Sequence, residues 1–246
     1  MGHPRIITHV QTSAAPAADA QVTLPTHAAL VDKGLPPAQH LVDTGYLDAG
    51  ILVETAQRFD IELIGPVRRD LRWQAKAKTG FAAEAFAIDW EQRRVICPMG
   101  ARSSSWTEAI DNRSTAVIKV KFSRKVCSAC ACRVACAEPN AQRRLMTFRT
   151  RDQHLALTAS RQRQREPAFA ALYASRAGVE ATISQAIRGF GLRRARYVGS
   201  AKAALQHQAT AAAIHLVRLV RWIRGIPLAA TRPGHFATLT AQNALA

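Results

Sequence analysis

Tyr173, Arg176 and Glu180 stand in a Tyr-x2-Arg-x3-Glu pattern. Steps of three and four residues put side chains on one face of an α-helix, so the spacing predicts a helix on which a carboxylate lies one turn from a guanidinium and a phenol. That combination suits work on a phosphodiester; an ordinary exposed Arg/Glu pair at i, i+4 is the alternative for the triplet alone. Asp43 is the second acid of interest. It closes the short apolar run His40-Leu41-Val42 and precedes Thr44-Gly45, which is where α/β sheets present ligands at the carboxyl ends of their strands. Asp before Gly is also common turn chemistry. A strand-end acid, a helix acid beside Arg and a basic surface together describe part of a two-metal phosphoryl-transfer site. In such sites clustered carboxylates hold two Mg²⁺ ions about 4 Å apart, one activating the attacking oxygen and the other stabilising the leaving one.

The second constellation is Cys97, Cys127, Cys130, Cys132 and Cys136. Cys127-x2-Cys130 is a knuckle that lets two thiolates grip one ion, Cys136 follows, and Cys97 is a distant fourth ligand, so these four can close a tetrahedral site. Cys132 is too near Cys130 to share the same ion. Zinc suits structural closure by four thiolates, an iron–sulfur cluster uses the same soft ligands, and unligated thiols are the third alternative. A metal here would fold a small β insertion too polar to hold itself together, presenting Lys119, Lys121, Arg124, Lys125 and Arg133 to DNA. Arg193, Arg194 and Arg196 form a further basic cluster after Gly189 and Gly191, suited to a phosphate backbone or to a solvated loop. The eight histidines show no paired ligand spacing.

The elements that must position these groups follow from length, charge and pattern. A chain of 246 residues can bury a sizeable core as one domain with an insertion or as two modest domains. The formal charge is +17, unevenly spread: residues 1–60 hold three Lys/Arg against six Asp/Glu, a net −3, which leaves +20 on the rest. Such an imbalance points to a polyanionic partner. There is no apolar run of membrane-spanning length and no signal-peptide plan at the N-terminus, so the expected location is the cytoplasm. Ile6–Val10 reads as a strand, Leu24–Lys33 as a helix, His40–Asp43 as a strand, residues 48–58 as a helix and Ile61–Ile64 as a strand, the rhythm of an α/β layer fold with a partly parallel sheet. Residues 67–145 break it with short β pieces at 85–89, 94–97 and 116–122. Helical patterning resumes from Gln153. In the last long helix Leu205, Ala209, Ala212, Leu216, Leu219 and Ile223 recur at steps of three and four as an expected packing stripe, with Arg218, Arg221 and Arg224 largely off it.

The segments His40–Gly45 (HLVDTG) with Tyr46–Leu52 (YLDAGIL), and Tyr173-x2-Arg176-x3-Glu180 with Gln185–Tyr197 (QAIRGFGLRRARY), resemble the second acid and the Glu helix of DDE insertion-sequence transposases, above all the bacterial group with a cysteine-bearing insertion between those acids. The resemblance runs from about Pro4 to Pro227. It implies a ribonuclease-H-like fold, Mg²⁺-dependent strand cleavage and strand transfer, and binding of double-stranded DNA at terminal inverted repeats and at target sites. It also implies a homo-oligomer when active and a bacterial, nucleoid-associated location. Asp43 and Glu180 would then be metal ligands, with Tyr173 and Arg176 supporting the site or touching phosphate. The related insertions keep Cys97, Cys127, Cys130 and Cys136.

Two departures from the family pattern stand out. Ile187 occupies the place of a family Lys seven residues after the Glu, with Arg188 next and able to reach phosphate from about 100° around the helix. The family's first Asp belongs on a strand preceding the segment matched by Ile6–Val10. The resemblance therefore implies an N-terminally truncated transposase, incompetent alone, unless Asp19 substitutes. The expected organisation is residues 1–66 as the first part of an α/β ribonuclease-H-like core, incomplete at its N-terminus, 67–145 as a β-rich cysteine-containing insertion, 146–226 as the helical remainder with the Glu helix, and 227–246 as a flexible tail. The other readings are a non-catalytic DNA-binding transposase remnant and a zinc-ribbon-type nucleic-acid-binding protein.

Overall fold

The computed structural model describes residues 5–227 apart from Ala15 and Pro139. They form two compact units, one made of residues up to Pro36 together with those from Ala171 onward, the other of Pro37–Ala170. Helix α1 (Ala20–Asp32) belongs to the first unit. It ends where Gly34 takes φ +67, a left-handed conformation that costs glycine little, and where Leu35 N–H returns to Leu30 O at 2.9 Å.

The second unit opens with a β-α-β turn of chain. Strand β1 (Gln39–Leu41), helix α2 (Ala49–Phe59) and strand β2 (Glu62–Ile64) follow in order, and β1 lies parallel to β2 with Gln39 opposite Glu62 and Leu41 opposite Ile64. Asp48 starts α2 by accepting the Ile51 N–H on Oδ1 at 2.9 Å, the usual N-cap bond. Beyond β1, Val42 N–H donates to Ile64 O at 2.8 Å, so strand-like pairing continues up to the residue before Asp43. The backbone of Gly65 approaches this turn closely. A Cβ there would lie 2.6 Å from both the Val42 carbonyl oxygen and Leu47 Cδ2.

After the short helix α3 (Trp73–Ala77), β3 (Ala87–Asp89) and β4 (Arg94–Ile96) form an antiparallel hairpin. The strands β5 (Ser103–Ile110) and β6 (Ala116–Phe122) follow, then two short helices, α4 (Arg124–Ser128) and α5 (Arg133–Cys136), and then β7 (Leu145–Arg149). The sheet order is β5-β6-β7, antiparallel throughout. The alternation of β6 is the pattern that the sequence predicts for a half-buried strand, whereas the Ser-rich β5 and β7 were not expected: they pair because β6 offers two open edges. Phe86, Val95, Ile118, Val120, Phe122, Met146 and Phe148 form one buried cluster. The expected weakness of this region is thus corrected, since it carries an apolar core of its own. Helix α6 (Arg151–Arg165) packs against α2, and its Arg163 pairs with Glu62 of β2.

Helix α7 (Pro167–Ala174) leads back into the first unit, followed by α8 (Ala177–Phe190) and α9 (Ser200–Ile223), which pack together. Two expectations are corrected in this unit. Among the described residues, residues 6–10 pair with no strand. Instead Ile7 N–H donates to His215 Nε2 at 2.8 Å, and the Thr12 hydroxyl bonds His207 Nδ1 at 2.8 Å, so side chains of α9 take the part of a neighbouring strand. The apolar stripe of α9 points outward: Leu205, Leu216 and Ile223 are 64%, 66% and 75% exposed, while Thr210, Ala211 and Ile214 are buried. The physical reason is Arg218, which donates to Gln185 Oε1 at 3.1 Å, Thr182 Oγ1 at 2.8 Å and the Arg5 carbonyl at 2.6 Å. These bonds orient the helix with Thr210, Ala211 and Ile214 inward. Among the described residues no helix is long and apolar enough to cross a membrane, and the expected tail lies, beyond Pro227, outside the described residues.

Gly65→Ala is expected to destabilise the protein by about 1–3 kcal/mol, since an added methyl meets the Val42 carbonyl oxygen, a backbone atom, as well as the Leu47 side chain. The shift of the denaturant midpoint at unchanged slope measures it.

Candidate functional site

Tyr173, Arg176 and Glu180 do not share one uninterrupted helix. Helix α7 ends at Ala174 and α8 begins at Ala177, with Arg176 as its N-cap residue. The junction nevertheless brings the three together. Arg176 Nη1 lies 3.6 Å from Glu180 Oε1, and Arg176 Cζ lies 5.9 Å from the centroid of the Tyr173 ring. The Arg176 side chain is 21% exposed and that of Glu180 65%, so the carboxylate reaches solvent while the guanidinium is held between ring and acid. Glu180 sits in the first turn of α8, where the helix dipole favours negative charge. Gly178 leaves room for a further cation: a Cβ at that position would strike the Arg5 guanidinium. Nothing local in the sequence marks Arg5 as a neighbour of this turn.

Asp43 follows β1 in the second unit, whereas Glu180 belongs to the first. The Asp43 side chain caps the short 3₁₀ turn Thr44–Tyr46, with Oδ1 accepting the Thr44 N–H at 2.9 Å, and the residue is exposed. Oxygen donors of this kind suit a hard cation such as Mg²⁺. Among the described residues no group of three or more His, Cys, Asp and Glu side chains is spaced to hold a metal ion.

The expected DNA-facing cations are exposed. Lys119 and Lys121 alternate with the buried Ile118, Val120 and Phe122 on β6, and Arg124 and Lys125 follow on α4. Arg188 is exposed in the last turn of α8. Arg193, Arg194 and Arg196 are exposed on the loop before α9, and Gln206 braces that loop by donating to Arg194 O at 2.8 Å and accepting from Arg196 N–H at 2.9 Å.

The five cysteines fall in two places, and among the described residues no three of them are placed to hold a metal ion. Cys97, Cys127, Cys130 and Cys136 all line one cavity of about 190 Å³, while Cys132 lies outside it with its thiol 3.8 Å from Met99 Sδ. All five are free thiols. Three of the four also pack against the apolar cluster under the sheet. Cys97 Sγ accepts the Ala101 N–H at 3.3 Å. Burial pushes the Cys136 thiol up, with Cys127, Cys97 and Cys130 adding to the rise, while the Arg144 guanidinium pulls the other way. Arg144 is the group that sequence reasoning missed. It is only 4% exposed and lines the same cavity, donating to Cys136 O at 2.5 Å and Phe81 O at 3.2 Å. In the run Gln142-Arg143-Arg144-Leu145 it looks like any surface arginine.

Exposed carboxylates, a guanidinium between ring and acid, and cationic faces on a mixed α/β scaffold make a surface suited to meeting a polyanion. The particular family follows from comparison: the transposase DDE domain family matches residues 96–220, just over half of the chain, and the chain belongs to it. Membership implies a role in DNA transposition, with DNA as the partner, and such transposases generally use Mg²⁺. The match contains Tyr173, Arg176, Glu180 and the cysteines but not Asp43. No curated protein and no solved structure matches the chain.

Because the Glu180 carboxylate is largely solvated, Glu180→Gln is expected to change stability by less than about 1 kcal/mol. A thermal or denaturant melt measures this, and a larger loss identifies Glu180 as a structural rather than a functional acid.

Proposed function

We propose that this chain performs Mg²⁺-dependent strand cleavage and strand transfer at the inverted repeats of an insertion sequence, using Asp43 and Glu180 as metal ligands. The observation that carries the reading is the Tyr173–Arg176–Glu180 stack inside the matched residues, which offers a solvent-facing carboxylate beside a fixed guanidinium. On this reading residues 1–66 and 146–226 make a ribonuclease-H-like core and 67–145 an insertion into it. Bound Mg²⁺ supplies activation of the attacking oxygen and stabilisation of the leaving oxygen. Arg176 and Tyr173 hold Glu180 in place and meet phosphate, and Arg188, Arg193, Arg194 and Arg196 grip the backbone as its counterions leave. A homo-oligomer would pair the two ends of the element.

The test incubates purified protein with duplex DNA carrying the element's inverted repeats and Mg²⁺ or Mn²⁺. Nicking at the repeat ends, abolished by Asp43→Ala and by Glu180→Ala, is the expected outcome. Duplex binding that weakens steeply between about 50 and 200 mM salt, with no nicking in either metal, favours instead a DNA-binding remnant without catalysis.

The cavity supports a second reading, that Cys97, Cys127, Cys130 and Cys136 form a four-thiolate zinc centre holding the α4–α5 segment against the sheet. Soft thiolates select zinc or iron–sulfur over hard cations, and the fifth cysteine falls outside the cavity, but among the described residues no three of these side chains are placed as a metal group, so a bound ion would have to draw them together. Freshly purified protein is expected to hold about one equivalent of zinc by elemental analysis. Less than about half an equivalent of zinc or iron overturns this reading.

A further inference from the structure

Helix α9 turns a regular apolar seam to solvent. Leu205, Ala209, Ala212, Leu216, Leu219 and Ile223 are all exposed, and they recur at strictly alternating steps of four and three residues. That repeat averages about 3.5 residues, the period at which two helices can keep one seam in contact. The opposite face is already committed: Thr210, Ala211 and Ile214 are buried, and Arg218 is bonded to α8.

The order of large and small residues along the seam fits a second copy of itself running the opposite way. About a two-fold axis at the level of Ile214, Leu205 meets Ile223, Ala209 meets Leu219 and Ala212 meets Leu216. Each alanine then faces a leucine, and the layers fill. A parallel pair would set each residue against its own copy, with alanine on alanine at two successive layers and gaps between them. Charge favours the same choice, because copies of a chain carrying +17 repel wherever their cations face each other. In the antiparallel pair Arg224 lies opposite Ala204, and Lys202 lies past the last turn of the other helix; a parallel pair would set Lys202 on Lys202. Gln206, Ala213 and Val220 flank the seam on one side and Gln208, His215 and Trp222 on the other, and none of them carries a formal charge. From Leu205 to Ile223 the seam runs about 27 Å at 1.5 Å per residue. One helix face per copy stays below the roughly 1,200 Å² of a standard interface, which suits reversible pairing rather than an obligate dimer.

We propose that two copies of this chain associate antiparallel along the outward seam of α9. This gives a surface to the homo-oligomer of the proposed function and rests on that part of it alone, because the pairing needs neither DNA nor a metal. Sedimentation velocity of the full chain, without DNA or metal and in about 0.5 M salt to screen the repulsion, is expected to show a monomer–dimer equilibrium on the order of 10 μM. Leu216→Glu is expected to weaken it by about tenfold or more with helicity unchanged, since the carboxylate loses water only in the dimer. Leu205→Lys and Ile223→Glu are each expected to weaken it similarly. The two together are expected to recover affinity severalfold, because the antiparallel register sets the lysine of one copy beside the glutamate of the other.

A chain that stays monomeric up to about 100 μM overturns the proposal, while strand cleavage is judged separately by the nicking test. A dimer that Leu216→Glu leaves within about threefold of wild type has its interface elsewhere, which also overturns it. So does a double variant no tighter than either single one, since only the antiparallel register pairs Leu205 with Ile223. Should Leu216→Glu lose helicity by circular dichroism, Leu205→Lys and Ile223→Glu at the two exposed ends of the seam carry the test with the same readings.

Discussion

The alternation of β6 is the constraint on which the central part of this molecule depends. A strand has a side-chain period of two, so a register that buries Ile118, Val120 and Phe122 must send Lys119 and Lys121 to the other face. The buried face gathers Phe86, Val95, Met146 and Phe148 into one cluster, and Cys97, Cys127 and Cys136 pack against the same cluster. The thiol cavity and the outward lysines are therefore two faces of one strand decision. A slip of one residue would put the lysines into the core and the apolar residues into water, which fixes the register strongly.

The carboxylate sites obey a different logic. Both acids sit at ends of elements, Asp43 just beyond β1 and Glu180 in the first turn of α8. Element ends leave backbone groups without partners, and those groups order the side chains beside them. Asp43 accepts such a backbone N–H, and Arg176 lies at the junction of α7 and α8, where it meets both Tyr173 and Glu180. The spacing that suggests one continuous helix face survives as a contact although the helix is broken, because a single turn between two helices keeps residues three and four apart as neighbours. Close backbone approach matters at both places. Gly65 admits the Val42–Leu47 turn, and Gly178 admits Arg5.

Much of the local structure was legible. The helices expected over 48–58 and 24–33 are found as α2 and α1, α1 beginning four residues earlier, and β6 has the limits expected of it. Cys97, Cys127, Cys130 and Cys136 line one cavity, but their spacing along the chain did not decide whether they converge on an ion, and among the described residues no metal group stands there. The strand expected over residues 6–10 failed because a β-branched run becomes a strand only when a neighbour offers backbone partners, and His207 and His215 offer side chains instead. Strands β5 and β7 went unseen for the converse reason, since their partners compensate for weak patterns. In α9 the period was readable but the inward face was not: Arg218 bonds to α8 and turns the apolar stripe outward.

By itself the sequence determined which groups are available for chemistry: two acids at element ends, a guanidinium and a phenol at helical spacing from one of them, four thiols at ligand spacing, and a net charge of +17. These depend on residue type and on geometry over a few bonds, which the chain carries with it. Only the tertiary structure decided which of those groups meet and in what surroundings. It buried Arg144 beside the thiols and left Glu180 in solvent beside Arg176. Burial and charge compensation are set by residues distant in the chain, such as Phe81 against Arg144 and Arg5 against Gly178, and no local pattern encodes a neighbour that arrives through folding.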